Sequence, residues 1–101
     1  MDEPPRTAPE GDATGWWIYL LRCRDGTLYC GVTNRLAERL RAHNAGRGAR
    51  YTRGRRPVEL VWAGWVPDRA AALRGEALIK RWSRARKMTL VRRGRPTADG
   101  G

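Results

Sequence analysis

A chain of 101 residues has room for one domain with a modest core and no large internal cavity. It carries 21 Lys and Arg against 10 Asp and Glu, and after residue 14 the balance sharpens to 20 bases against 6 acids. A field of that strength favours polyanions, nucleic acid foremost, without separating an enzyme from a passive binder. No apolar run approaches the roughly 20 residues of a membrane span, and no basic-then-apolar leader opens the chain. With only two cysteines, read as reduced core thiols, a soluble cytoplasmic protein is expected.

Residues 1–14 are rich in Pro, acids and small side chains, and 94–101 read the same way, so both are expected to be disordered tails around a folded unit at 15–93. Trp16 to Cys23 is apolar on both faces, the pattern of a strand buried on two sides. Arg24-Asp25-Gly26 is a turn, and Thr27 to Val32 the returning strand. Thr33 or Asn34 can cap a helix that runs to about Ala45, where Gly46 and Gly48 end it. Residues 46–57 read as a basic, Gly-rich loop, and 58–66 as a third strand. Asp68 then caps a helix to about Trp82, and Ser83 a last one to about Arg92. The order β-β-α-β-α-α predicts an α+β domain.

Nineteen of the 21 bases are Arg, whose planar fork suits phosphate; a GC-rich genome would produce the same bias. With no Phe and five Trp, each of the three Tyr is a choice of a hydroxyl, or simply an amphipathic strand residue. On the first helix Leu36 and Leu40 mark the inward stripe, and Arg39 and His43 fall inside it while Arg35, Glu38 and Arg41 point out. A cation and an imidazole are costly to bury unless they meet partners or line a cleft. On the later helix Ala71, Ala72, Leu78, Ile79 and Trp82 form the apolar side, with Glu76 at its border. Glu76 is therefore the best candidate ligand for one divalent ion, the rest of whose shell would be phosphate and water. Its rival role is an ion pair with Lys80. Phosphodiester cleavage needs a base for water, a cation for the phosphate and a metal for the leaving oxygen, and Tyr, Arg or His, and Glu can fill those places.

Trp17-Ile18-Tyr19, followed by Tyr29-Cys30-Gly31, resembles the two-part signature of the GIY-YIG nucleases. Thr33 and Arg39-Leu40-x-x-His43-Asn44 resemble that family's first helix, and Tyr51-Thr52-Arg53-Gly54-Arg55-Arg56-Pro57 the loop of its small stand-alone bacterial branch. Ala72-Leu73-x-x-Glu76-x-x-Ile79-Lys80 resembles its metal-binding helix. The similarity spans about 16–92. It implies a three-stranded antiparallel sheet flanked by helices, with Tyr19 and Tyr29 as the signature tyrosines and one of them the general base. It further implies Arg39 on the scissile phosphate, His43 bonded near the base, and Glu76 holding Mg²⁺ or Mn²⁺. Trp17 replaces the signature's first Gly and Cys30 its Ile, and the late Asn of some members has no assigned counterpart.

If both tyrosines serve one site, they must share a sheet face. A two-residue Asp25-Gly26 turn would separate them. A three-residue loop, with Gly26 left-handed in a bulge and Cys23 opposite Thr27, brings them together and is the form expected. The basic loop, with Arg47, Arg50, Arg53, Arg55 and Arg56, is expected along the nucleic-acid backbone with Lys80, and Tyr51 to stack on a base. No element carries evenly spaced base-reading side chains, so structure-directed binding is expected, to DNA more than RNA. A non-catalytic nucleic-acid-binding module is the alternative.

Overall fold

The structure, a computed structural model, describes residues 15–94. The expected tails lie outside the described residues, except that Gly94 closes the last helix. The strands are β1 (Trp16–Cys23), β2 (Leu28–Thr33) and β3 (Val58–Val66), antiparallel in the order β2-β1-β3. The helices are α1 (Leu36–Asn44), α2 (Arg50–Arg53), α3 (Arg69–Lys80) and α4 (Arg84–Gly94). This is the expected α+β architecture, with one addition. The stretch 46–57 is not wholly irregular, because α2 adds a single helical turn within it.

The central position of β1 explains its two apolar faces. Ile18 and Leu20 pack with Val61, Ala72, Ile79 and Val91 under α3 and α4. Trp17, Tyr19, Leu21 and Cys23 pack on the other face with Val58, Ala63, Leu36 and Leu40, under α1. A bulge at Val61 of β3 sets Leu20 opposite Trp62 but Leu21 opposite Leu60, which keeps Val58 and Leu60 on the α1 side.

The turn takes the bulged form. Cys23 N–H donates to Thr27 O at 2.9 Å, Gly26 N–H donates to Cys23 O at 2.8 Å, and Gly26 sits at φ 87°. Only glycine adopts that angle without strain. The resulting register pairs Tyr19 with Gly31 and Leu21 with Tyr29, placing both tyrosines on the α1 face. Asp25 ties the turn down through Thr27 and through Arg55 at 3.0 Å.

Helix termini follow their caps. Asp68 accepts from Ala71 N–H at 2.8 Å and Ser83 from Arg86 N–H at 3.1 Å. At α1 neither Thr33 nor Asn34 is the cap residue; Arg35 is, and Thr33 instead accepts Arg35 N–H. The expectation that Leu78 faces the core is corrected, since it is 53% exposed. The inward stripe of α3 is narrow, Ala72-Gly75-Glu76-Ile79, and Leu78 lies about 100° round from Ile79. A Cβ on Gly75 would run into Ile18 Cδ1, so glycine lets α3 sit close on the sheet.

Candidate active site

The α1 face of the sheet gathers the polar groups that the sequence singled out. Tyr19 projects from β1 and is 1% exposed. Its ring lies 6.4 Å from that of Tyr29, and both rings meet the edge of His43, at 5.9 and 5.3 Å. Gly31 makes this possible, since a Cβ there would fall 2.5 Å from the Tyr19 hydroxyl oxygen. Helix α1 supplies His43, fully buried on the inward stripe, and Arg39, half-buried one turn earlier.

His43 is held at both nitrogens. Its Nε2 lies 2.9 Å from Tyr19 Oη and its Nδ1 2.8 Å from Thr52 Oγ1. Burial, and then the charge of Arg39, push its pKa down from 6.5 to about 4, so the imidazole is neutral at pH 7. Burial also pushes the Tyr19 phenol up from 10 to about 12, although the Arg39 guanidinium beside it pulls the other way. The loop after α1 closes over the imidazole. A Cβ on Gly48 would collide with His43 Nδ1, and Asn44 clamps the start of β3 by bonding both the N–H and the C=O of Val58.

Glu76 lies on α3, which packs against β2 on the opposite face of the sheet from the tyrosines; its charge is felt by Cys30, and that of its neighbour Lys80 by Tyr29. Its carboxylate pairs with Lys80 at 3.1 Å, the rival role foreseen for it, and that bond holds the Lys80 ammonium above its ordinary pKa, with Tyr29 and Cys30 adding to the effect. Cys30 itself is a buried thiol whose pKa is pushed up to about 11 by burial and by Glu76, which favours the protonated form at pH 7.

The basic loop divides in two. Arg55 is committed to the fold, paired with Asp25, donating to Tyr51 O and lying 4.0 Å over the Tyr51 ring. Arg56 donates to the carbonyls of Arg53 and Asn44. Arg47, Arg50 and Arg53 project outward and have no side-chain partner among the described residues. Tyr51 stacks on Tyr29 at 5.9 Å, extending the tyrosine cluster towards solvent. An open hollow of about 480 Å³, lined by Arg24, Asn44, Arg53, Gly54, Arg56 and Pro57, holds three bases and no acid.

Sequence reasoning missed two contributors, Thr52, which holds His43, and Arg24, which joins the basic hollow; Gly48 reads in the sequence as a helix stop, and the structure shows what it lets approach, the His43 ring. Thr52 stood inside a quoted motif, but a threonine flanked by Tyr and Arg gives no sign that it will be buried.

This fold and this cluster define a GIY-YIG catalytic domain: residues 15–89 match that family, and the chain belongs to it, within a nuclease superfamily whose members generally use divalent metal ions. Its relatives are small proteins designated UPF0213. That of Desulfotalea psychrophila is 48% identical over 83% of this chain and 77% of its own length. That of Nitratidesulfovibrio vulgaris is 53% identical over 82% of this chain and 76% of its own. The solution NMR structure of the Bacillus halodurans UPF0213 protein superposes with a TM-score of 0.50 at 40% identity, covering 76% of this chain and 82% of that one. The two departures from the signature, Trp17 and Cys30, are both buried core residues on opposite faces of the sheet. Among the described residues no helix is long and apolar enough to cross a membrane.

Proposed function

We propose that this chain is a divalent-metal-dependent endonuclease acting on DNA, directed by backbone structure rather than base sequence. The observation that carries the reading is the convergence of Tyr19, Tyr29, Arg39 and neutral His43 on one face of the sheet, with the Glu76–Lys80 pair on α3 close enough for Lys80 to feel the charge of Tyr29.

The donor set suits Mg²⁺ or Mn²⁺. Glu76 is a single hard carboxylate, only 18% exposed, and no group of three or more His, Cys, Asp or Glu surrounds it among the described residues. An ion held there must draw most of its ligands from water and phosphate, the habit of Mg²⁺ and not of Zn²⁺. When bound, such an ion offsets charge on the leaving oxygen. Arg39 neutralises the phosphate under attack, the tyrosine pair orients and deprotonates water, and neutral His43 takes part as a hydrogen-bond partner of Tyr19. Arg47, Arg50 and Arg53, with the hollow beside them, seat neighbouring phosphates along the strand.

The test is cleavage of a labelled panel (duplex, single strand, flap, nicked and four-way DNA, and RNA) in Mg²⁺, Mn²⁺ or chelator. Cutting that requires metal and falls at least about 100-fold in Glu76→Ala and Arg39→Ala supports the reading. Undiminished cutting in either variant sinks the assigned role of that residue.

The Glu76–Lys80 pair also favours a second reading, because a carboxylate already neutralised by a lysine can serve a binding module that never takes up metal. Mn²⁺ titration decides between them: saturable binding abolished by Glu76→Gln belongs to the nuclease alone.

A further inference from the structure

Thr52 is fully buried in α2, and its hydroxyl oxygen touches two groups, His43 Nδ1 at 2.8 Å and Ala49 O at 3.0 Å. A neutral imidazole carries one proton, and the groups facing its two nitrogens decide which one holds it. Three protons must be placed: those of Tyr19, His43 and Thr52.

With the histidine proton on Nε2, Tyr19 Oη has to accept it. The phenol proton of a side chain 1% exposed then has no acceptor among the described residues. A buried donor left unpaired is strongly disfavoured. With the proton on Nδ1 every donor finds an acceptor. Nδ1–H donates to Thr52 Oγ1, the Thr52 hydroxyl donates to Ala49 O, and Tyr19 O–H donates to the bare Nε2. One contact opposes this arrangement: Ala49 N–H faces Nδ1, but at 3.5 Å, the outer limit of a hydrogen bond, against 2.9 Å for the Tyr19 bond.

We infer that Thr52 is a positioning residue that fixes His43 in its Nδ1–H tautomer and so turns the Nε2 lone pair to the Tyr19 hydroxyl as a proton acceptor. Its consequence for cleavage rests on the nuclease reading above. The folded chain alone keeps the Tyr19 hydroxyl from solvent, so the attacking water must arrive with the bound nucleic acid; as it attacks phosphorus, one water O–H bond breaks and that proton joins Tyr19 Oη. The original Tyr19 O–H breaks and its proton joins Nε2. The new P–O bond forms as the bond to the leaving oxygen breaks; that oxygen takes a proton from solvent, and the imidazolium later returns one to solvent.

The chain has a single histidine, so the full-length protein labelled with ¹⁵N-histidine yields one pair of ring nitrogen signals. At pH 7.5 the expected spectrum shows Nδ1 protonated and Nε2 unprotonated. Thr52→Ser should keep that pattern, and Thr52→Val, which retains the shape without the hydroxyl, should lose it or mix it. A wild-type spectrum with the proton on Nε2 overturns the inference, whatever the variants do, and so does an unaltered pattern in folded Thr52→Val. In the cleavage assay Thr52→Val should lose about 10–100-fold in kcat with KM little changed, and Thr52→Ser should recover most of it. A wild type that cuts nothing, with the expected tautomer, fails the nuclease reading and upholds this one.

Discussion

His43 is buried, neutral and flanked by a guanidinium, and each of those facts ties its protonation to folding. The unfolded chain takes up a proton at its histidine near pH 6.5, whereas the folded chain refuses one until about pH 4. Because the folded pKa is the lower, stability is complete above pH 6.5 and drains as pH falls towards 4. At 1.36 kcal/mol per pH unit the loss amounts to about 3 kcal/mol. Tyr19 works at the other end. Its folded pKa is raised, so its contribution is complete below pH 10 and drains as pH rises to about 12. Urea unfolding at pH 7.5 and 4.5 should show the histidine effect in wild type and a markedly shallower change in His43→Gln. Equal slopes in the two proteins would mean that His43 titrates normally in the fold.

At the scale of the elements, the strands and three of the helices were legible because short-range chemistry dictates them. Arg24-Asp25-Gly26 marks a turn but fits either a two- or a three-residue loop; the condition that Tyr19 and Tyr29 share a face selects the bulged one, and the register has that form. Asp68 and Ser83 announce their helices by capping them. Helix α2 was not legible. Four residues cannot carry an apolar stripe, and what folds Arg50–Arg53 is tertiary, the burial of Thr52 against His43. The approach of that loop depends on Gly48, whose Cβ would meet the His43 ring and lie 2.8 Å from His43 Cα. The backbone must shift to admit even a methyl group, so Gly48→Ala should destabilise the protein by about 1–3 kcal/mol. Chemical denaturation measures the loss, and an unchanged midpoint would show that the loop stands off from His43.

The whole molecule is governed by charge, and here the structure separates residues that the sequence could only group. Five loop arginines read alike as phosphate contacts, yet Arg55 and Arg56 spend their donors on the fold while Arg47, Arg50 and Arg53 meet no side-chain partner among the described residues. Nucleic-acid affinity falls with salt in proportion to the phosphates neutralised, by about 0.9 in the logarithmic slope per contact on duplex and about 0.7 on single strands. Arg53→Gln, beside the basic hollow, should therefore weaken binding uniformly across sequences and reduce the slope by about 1, leaving stability within about 0.5 kcal/mol. Arg55→Gln should do the reverse. It breaks the tie from the loop to Asp25 and the contact over Tyr51, so it should lower stability by up to about 1 kcal/mol and move the salt slope less. Fluorescence anisotropy on one labelled DNA from 50 to 300 mM salt, paired with thermal melts, reads both quantities. Equal slope changes in the two variants would return Arg55 to the binding surface and make its ion pair incidental. An unaltered slope in Arg53→Gln would move the nucleic-acid path away from the hollow altogether.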